Sequence, residues 1–439
     1  MRSIERENSL EALSDWHKTG SWPDLYLKSK LEPLTRAQAS LVTMITYGVI
    51  QNQSLIDYYI GLYSSLKLNK VSPYVLEAMR IAVYQILFLD KVPDSAAVNE
   101  SINLINKTGN RRAAGFANGV LRKIVREKNN LPEIKGRSRE ETLAIKYSNP
   151  LWLTKKFIKI FGFEETEELL AANNESVVPS IRVNTIKTDS EAFIREASVI
   201  MGQEPVKSEL VNDGFYVSEL ATLLKSPLFE NGHFYVQDIA SQLAVNILAP
   251  KPYEKVLDLC AAPGGKSLLA AQLMENHGLI VSNDIYPHKT ALIIKNAARY
   301  GCDIIQESCK DASLYITEYS EQFDSIICDV PCSGLGIIRK KPDIRFKDES
   351  SLSELPRLQR AILENAASYL KPGGNLIYTT CTILPEENED IINDFLISHN
   401  NFSLTPFTIG QKLYPGIVTL LPHRDNTDGF FISRIERRP

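Results

Sequence analysis

Residues 255–285 read KVLDLCAAPGGKSLLAAQLMENHGLIVSNDI, and this stretch decides the fold. KVLDLC and LIVSNDI are apolar runs of strand length, and KSLLAAQL between them carries helical spacing. A strand, a helix and a second strand in so few residues imply parallel strands joined by a crossover. The pattern recurs downstream. DIIQES (303–308), FDSIICDV (323–330) and NLIYTT (375–380) read as further strands, with helices starting at Lys266, Pro287, Ser351 and Pro385. Residues 235–439 are therefore expected to form a Rossmann-like α/β core, a mostly parallel, doubly wound sheet with helices on both faces. The last segment, residues 420–437, reads instead as a strand pair around the connection Asn426-Thr427-Asp428-Gly429.

Upstream the pattern changes. RAQASLVTMITYGVI (36–50), SPYVLEAMRIAVYQILFL (72–89), SAAVNESINLINK (95–107) and GFANGVLRKIVREK (115–128) all place apolar residues at helical spacing. Pro73 and Pro93 each open a helical pattern, where a first-turn proline is tolerated. Residues 1–132 are thus expected to be an all-α domain. The polar segment NNLPEIKGRSREE (129–141) makes a linker, and residues 133–234 combine it with mixed helical and strand patterns in a small α+β subdomain.

A chain of 439 residues is too long for one core, and 44% hydrophobic with 23% charged residues is ordinary for a globular protein. The N-terminus, MRSIERENSLEALSDW, lacks the apolar centre of a signal peptide, and no apolar run is long enough to span a bilayer. All six cysteines lie in the C-terminal half, without a CxxC pair or a histidine cluster. That argues against zinc, or any metal, and against a disulfide framework, and fits the cytoplasm. The net charge of −4 conceals an asymmetry: residues 1–130 carry 17 Lys+Arg against 12 Asp+Glu. A basic first domain hints at an anionic partner, although chance surface charge explains that number equally well.

The chemistry gathers at strand ends, which in a doubly wound sheet converge on one crevice. Gly264 and Gly265 let backbone approach a ligand, and the turn matches neither GxGxxG nor GxxxxGK[ST]. Asp284 ends the next strand, Asp311 follows the third and Asp329 ends the fourth. Singly, each aspartate reads as a turn or cap residue. Together they suggest a cofactor containing a nucleoside. Two cysteines share this placement, Cys332 in DVPCSG (329–334) and Cys381 in YTTCT (378–382). Buried cysteine is usually a small hydrophobe, which suits Cys302, Cys309 and Cys328. Two strand-end thiols facing one substrate are another matter, and methylation of a pyrimidine at carbon 5 is one of the few reactions that needs them.

The segments CAAPGGK, DVPCSG and TTC, in this order and spacing, resemble the RNA 5-methylcytosine methyltransferases of the RsmB/NOP family, also called Sun or Fmu. AVYQILFLDKVPDSAAVNE (82–100) and GFANGVLRKI (115–124) resemble the NusB-like RNA-binding domain, and SNPLWL, SIRVNT and YVQDIASQLA resemble the family's intervening subdomain. In bacterial members this combination marks the enzyme acting on 16S ribosomal RNA. The resemblance implies S-adenosylmethionine as cofactor. Cys260, Ala261, Ala262, Pro263, Gly264, Gly265 and Lys266 would wrap its methionine and ribose portions. Asp284 would hold the ribose hydroxyls, Asp311 would lie by the adenine, and Asp329 near the methyl and the target base. Cys381 would be the nucleophile and Cys332 the second thiol. Cys381 is followed by Thr382 where the family commonly has serine, which keeps the hydroxyl.

The physical logic runs the same way. Carbon 5 of cytosine becomes nucleophilic once a thiolate has added at carbon 6. A carboxyl such as Asp329 at the ring nitrogen eases that addition. A base, either Cys332 or a water it orients, must later remove the carbon-5 proton. Thiolate is the reactive form, so the site should favour it at Cys381. Lys107, Arg111, Arg112, Arg122, Lys123, Arg126 and Lys128 would meet RNA phosphates, as would Arg339, Lys340, Lys341 and Arg345 beyond the second motif. The base must leave its stack, so single-stranded or loop RNA is the expected partner of a monomeric enzyme. Three rivals remain open. One is an RNA-binding assembly factor with a vestigial core. Another makes Cys332 the nucleophile, and the third is a nicotinamide oxidoreductase, disfavoured by the absence of GxGxxG.

Overall fold

The computed structural model describes residues 3–20 and 23–439, the side chains of Asp24, Leu25, Lys28 and Ser29 excepted. Two compact units emerge: residues up to Glu175 together with Lys341–Glu349, and Ser176–Lys340 together with Ser350–Pro439.

The first unit is helical throughout: α1 (Ile4–Thr19), α2 (Pro23–Leu31), α3 (Arg36–Tyr63), α4 (Pro73–Phe88), α5 (Asp94–Asn106), α6 (Arg111–Glu127), α7 (Arg139–Lys146), α8 (Leu151–Phe161) and α9 (Phe163–Ala172). Local signals fix several ends. Thr35 and Gln38 form a capping box at α3, Pro73 opens α4, and the Asn110 side chain accepts the Ala113 N–H at α6. Helix α4 is the central element. Eleven of its residues are buried, Glu77, Arg80 and Gln85 among them, so it is enclosed all round rather than along one stripe.

Helix α3 kinks at Asn52, whose φ of −112° is non-helical. The break releases the Gln51 carbonyl and the Leu55 N–H, which a regular helix would pair. Leu55 N–H finds the Ser148 hydroxyl at 3.0 Å. Arg345, fully buried, takes the carbonyl: its Nη1 donates to Gln51, Tyr147 and Ser148 carbonyl oxygens, each at 3.1 Å, and its Nη2 to Asn174 Oδ1 at 3.0 Å. One guanidinium thus satisfies the α3 kink and the C-terminal ends of α7 and α9, as a planar fork of five donors can.

The second unit begins with a four-stranded antiparallel sheet ordered β2-β3-β1-β4, from β1 (Ser180–Val183), β2 (Val206–Lys207), β3 (Gly214–Tyr216) and β4 (Phe234–Val236). Helix α10 (Ser190–Met201) and the single turns α11 (Leu220–Leu223) and α12 (Pro227–Glu230) complete this layer. Helix α13 (Ile239–Leu248) leads into the main sheet. Its strands are β5 (Lys255–Asp258), β6 (Leu279–Asn283), β7 (Ile305–Ser308), β8 (Phe323–Asp329), β9 (Leu370–Thr380), β10 (Phe402–Leu404), β13 (Ile417–Leu420) and β14 (Phe430–Arg437). A two-stranded ribbon of β11 (Phe407–Ile409) and β12 (Lys412–Tyr414) lies apart.

Strands β9-β8-β5-β6-β7 are parallel, and β14 joins β9 antiparallel. Neighbouring strand residues enter opposite cores. Val256, Ile327, Ile377 and Ile432 pack on one face with α13, α14 (Gly265–Leu273) and α15 (Pro287–Tyr300). Leu257, Ile326, Leu376 and Phe431 pack on the other with α16 (Leu355–Tyr369) and α17 (Glu389–Ser398). Burial on both faces is why the strands read as continuous apolar runs rather than alternating ones. The C-terminal pair differs from its expected form. Leu420 pairs with Phe430, and the helical turn α18 (Pro422–Asp425) lengthens the connection. Among the described residues no helix is long and apolar enough to cross a membrane, and no group of His, Cys, Asp and Glu is placed to hold a metal ion.

All three tryptophans (16, 22 and 152) fall within the first 175 residues, so their fluorescence follows the first unit alone. Arg345→Ala leaves the acceptors at three helix ends without their donor. We expect it to lower that unit's stability by about 3 kcal/mol. A tryptophan-monitored urea midpoint equal to that of the unmodified chain would refute the staple.

Candidate active site

The strand order reverses between β5 and β8, and the crevice at that switch point is where a doubly wound sheet binds ligands. Strand β5 delivers Asp258 and the loop that follows it. There the Ala262–Pro263 peptide is cis, Gly264 adopts a φ of +101°, and α14 begins at Gly265. Ser267 Oγ donates to Asp258 Oδ2 at 2.7 Å. Asp258 Oδ1 is buried with no hydrogen-bond partner in the protein. Burial pushes this carboxyl up to about 7.

Asn283, at the end of β6, pins two loops. Its amide donates to the Leu259 carbonyl at 3.0 Å and the Lys310 carbonyl at 2.9 Å, and it accepts the Lys310 N–H at 2.9 Å. Asp284 follows directly, with Lys289 Nζ at 3.7 Å from its Oδ1. Asp311 Oδ1 accepts the N–H and hydroxyl of Ser313, so it also caps its own turn, as the local reading has it. A cavity of about 670 Å³ is lined by Cys260, Asp284, Ile285, Asp311, Ala312 and Ile362, and continues to Asp329, Cys332 and Cys381. Apolar walls with the Asp284 and Asp311 carboxylates suit a nucleoside. The orphaned Asp258 oxygen suits an ammonium group. These residues fit an amino acid joined to a nucleoside.

At the other end, Asp329 is held by two partners. Lys266 Nζ lies 2.5 Å from its Oδ2, and Thr379 Oγ1 donates to Oδ1 at 2.7 Å. Burial disfavours the Lys266 charge, yet the Asp329 carboxylate, with Asp258 and Cys381 behind it, holds this lysine above its ordinary value. Its ammonium also lies 5.6 Å from the centre of the Phe430 ring. The two cysteines meet, with Cys332 Sγ 3.2 Å from Cys381 Sγ. A three-way crossing of loops achieves this. Gly336 N–H donates to the Cys381 carbonyl at 2.9 Å, and Gly429 N–H to the Gly336 carbonyl at 2.8 Å. A Cβ on Gly336 would lie 1.9 Å from the Gly429 oxygen, so no other residue fits there.

The hydrogen bond to Cys381, then burial, then the charges of Cys381 and Glu387, push the Cys332 thiol well up. In the contact between the two sulfurs either thiol can be the donor. Burial, with Asp258, Asp329 and Asp284 nearby, also pushes up Cys260, which leaves its backbone as its contribution to the loop.

Three cations expected at phosphates are committed inside the protein. Asp428, almost wholly buried, accepts Arg339 Nε at 2.8 Å and Lys340 Nζ at 2.6 Å, and Lys340 also pairs with Asp238 at 2.7 Å. Arg345 staples the first unit, as described above. A run of cations looks the same in sequence whether it faces water or buried carbonyls. On α6, Arg111, Arg112, Arg122 and Lys123 are exposed, whereas Lys107 pairs with Glu7 and Lys128 with Asp94. Asp258, Thr379 and Glu387 carry no signal in their own motifs that singles them out, although Glu387 lies six residues after Cys381.

The switch-point sheet, its cradle for an amino acid joined to a nucleoside, and the crevice beyond are those of a methyltransferase that takes its methyl group from S-adenosylmethionine. The profile of the family described as 16S rRNA methyltransferase RsmB/F matches residues 245–436. The N-terminal domain of 16S rRNA methyltransferase RsmF matches residues 152–239, and the NusB family residues 3–126. A probable ribosomal RNA small subunit methyltransferase B of Bacillus subtilis (strain 168) is 35% identical over 99% of this chain and 98% of its own. One from Synechocystis is 30% identical over 98% and 99%. The crystal structure of PH0851 superposes with a TM-score of 0.82 at 31% identity, covering 100% of this chain and 99% of that one. A methyltransferase homolog from Pyrococcus horikoshii gives 0.60 at 27%, covering 67% and 97%. The chain belongs to the RsmB/F family of 16S rRNA methyltransferases.

Asp284→Ala removes the carboxylate at the nucleoside end. Losing charge-assisted hydrogen bonds there is expected to weaken S-adenosylhomocysteine binding roughly 10–100-fold. Calorimetric titration of a variant with unchanged circular dichroism reads it, and an unaltered affinity would remove Asp284 from the cofactor site.

Proposed function

We propose that this protein methylates carbon 5 of a cytosine in 16S ribosomal RNA through a covalent adduct on Cys381. The observation that carries the reading is the 3.2 Å contact between the two thiols beside the Lys266–Asp329 pair. Few reactions other than addition and release at a pyrimidine ring use such a set. S-adenosylmethionine, when bound, supplies an electrophilic methyl to carbon 5.

The chain's own residues then have distinct tasks. The Cys381 thiolate adds to carbon 6, and the ring electrons move to carbon 5. A proton relayed from Lys266 through Asp329 to ring nitrogen 3 offsets the charge the ring gains. Thr379, bonded to Asp329, keeps that carboxylate oriented. After methylation the carbon-5 proton leaves to water, its bonding pair restores the carbon 5–carbon 6 double bond, and the carbon–sulfur pair returns to Cys381. Cys332, whose thiol is pushed up, assists by donating S–H to the departing sulfur. The nitrogen-3 proton goes back along the relay. Asp258 receives the amino group of the cofactor, Asp284 its ribose, and Asp311 lies toward its adenine. Because the thiols lie inside a cavity, the target base must leave its stack, which favours a single-stranded or looped segment. The exposed Arg111, Arg112, Arg122 and Lys123 on α6 are the RNA-facing charge.

The decisive comparison is between two alanines. Cys381→Ala abolishes methylation and forms no denaturation-resistant complex with RNA. Cys332→Ala still attacks and accumulates that complex, because release is impaired. The opposite pattern makes Cys332 the nucleophile, and an unmodified chain that methylates no cytosine removes the reading altogether.

A further inference from the structure

Glu387 closes the turn Pro385–Glu387 after the Cys381 loop, and its side chain is buried, with 1% of the residue exposed. Its Oε2 accepts the Ser333 N–H at 2.9 Å and Gln359 Nε2 at 2.9 Å. Its Oε1 accepts the Thr382 hydroxyl at 3.1 Å. Ser333 directly follows Cys332, and Thr382 directly follows Cys381. The two are also joined to each other, Ser333 Oγ donating to Thr382 Oγ1 at 2.7 Å. Gln359 reaches the residue before Cys332 as well, donating to the Pro331 carbonyl at 2.9 Å. One carboxylate therefore grips both cysteine loops at their first residue.

A buried carboxylate is an expensive clamp. Among the described residues no lysine or arginine pairs with Glu387, and an ionised group out of water without a cation is strongly disfavoured. Glutamine would bridge the same loops with its amide, so hydrogen bonding alone does not require a carboxylate. What only the carboxylate supplies is negative charge, which acts on the Cys332 thiol. The Lys266 ammonium, bonded to Asp329, interacts with Cys381.

We propose that Glu387 is a positioning residue for the release half of the reaction, holding the Cys332 thiol against the Cys381 sulfur as that sulfur leaves carbon 6. This deepens the carbon-5 reading and rests on it. In the step concerned, water takes the carbon-5 proton, the carbon–hydrogen pair becomes the carbon 5–carbon 6 π bond, and the carbon–sulfur pair goes to Cys381. Cys332 shares its proton with that sulfur, and Glu387 neither gains nor loses one. The role is one of geometry and field.

The test is Glu387→Gln, assayed with radiolabelled S-adenosylmethionine and a 16S RNA fragment, with Cys332→Ala alongside. With enzyme in excess, the first methyl transfer should stay within about threefold of the unmodified rate, while the denaturation-resistant adduct persists roughly 10–100-fold longer. Multiple-turnover kcat should fall by the same factor with KM for RNA unchanged, a split that loss of folded protein does not produce. An adduct that decays at the unmodified rate overturns the proposal, and so does a first turnover lost along with release. If S-adenosylhomocysteine titration shows Glu387→Gln to be unfolded, Ser333→Ala and Thr382→Val remove the hydroxyl links instead. Each must then lengthen the adduct's life, and no lengthening is equally fatal. Absence of an adduct in Cys332→Ala, with no methylation by the unmodified chain, condemns the carbon-5 reading rather than the role of Glu387.

Discussion

Hydrogen bonding between β5 and β8, register Val256 to Ser325 through Asp258 to Ile327, is the constraint on which the site depends. Chain order runs outward from β5 through β6 and β7, then returns to β5's other side as β8 and β9. Loops leaving β5 and β8 must diverge, and the gap between them is the crevice. The same pairing brings Asp258 and Asp329 to one end of the sheet, with Asp284 one strand over. Three carboxylates crowd a space that the buried Lys266 enters, and burial, with Asp329 and Asp284 adding to it, raises the Asp258 pKa. A crevice so charged favours a cationic ligand. A sulfonium bearing an amino group meets that demand where a nucleotide phosphate would be repelled.

Bringing the cysteines together needs more than the sheet. Strands β8 and β9 are neighbours, so their ends lie side by side, but a thiol contact of 3.2 Å demands that the loops beyond them be fixed as well. Backbone supplies that. The Gly336 segment lies between the Cys381 carbonyl and Gly429, bonded to both, at a separation only two glycines permit. The antiparallel strand β14 has a part in this, since its first residues follow Gly429 directly. Asp428, one residue earlier, anchors the same crossing through Arg339 and Lys340. Arg339 and Lys340, which follow the Cys332 motif, are thus structural counterions.

Legibility in the sequence follows the range of the interactions. Apolar runs report burial on both faces of a strand, so the five parallel strands were readable, as were the helices opened by Pro73 and Pro287. The strand-end cysteines and aspartates were readable because their motifs are short and contiguous. Arg345 was not. Its partners are carbonyls of residues 51, 147 and 148 and an amide at 174, and no local pattern reveals a helix kink that needs a donor. Glu387 follows Pro385, where the sequence predicts a helix start, and an acid there needs no further explanation. Its burial beneath both cysteine loops depends on Gln359 and Ser333, elements distant in sequence.

Two thiols in contact cannot both be ionised, because like charges at that distance repel strongly outside bulk water. The surroundings then bias which of the two sulfurs a charge would favour. Charge on Cys332 would face the Glu387 carboxylate, three hydrogen bonds deep in the protein. Charge on Cys381 faces the Lys266 ammonium. The field across the pair is oriented before any RNA arrives, and under the proposed mechanism it favours attack by Cys381 with Cys332 as the donor beside it. Equal thiols in a symmetrical field would have no reason to divide the work. The asymmetry between one lysine that acts on Cys381 and one glutamate that acts on Cys332 supplies that reason.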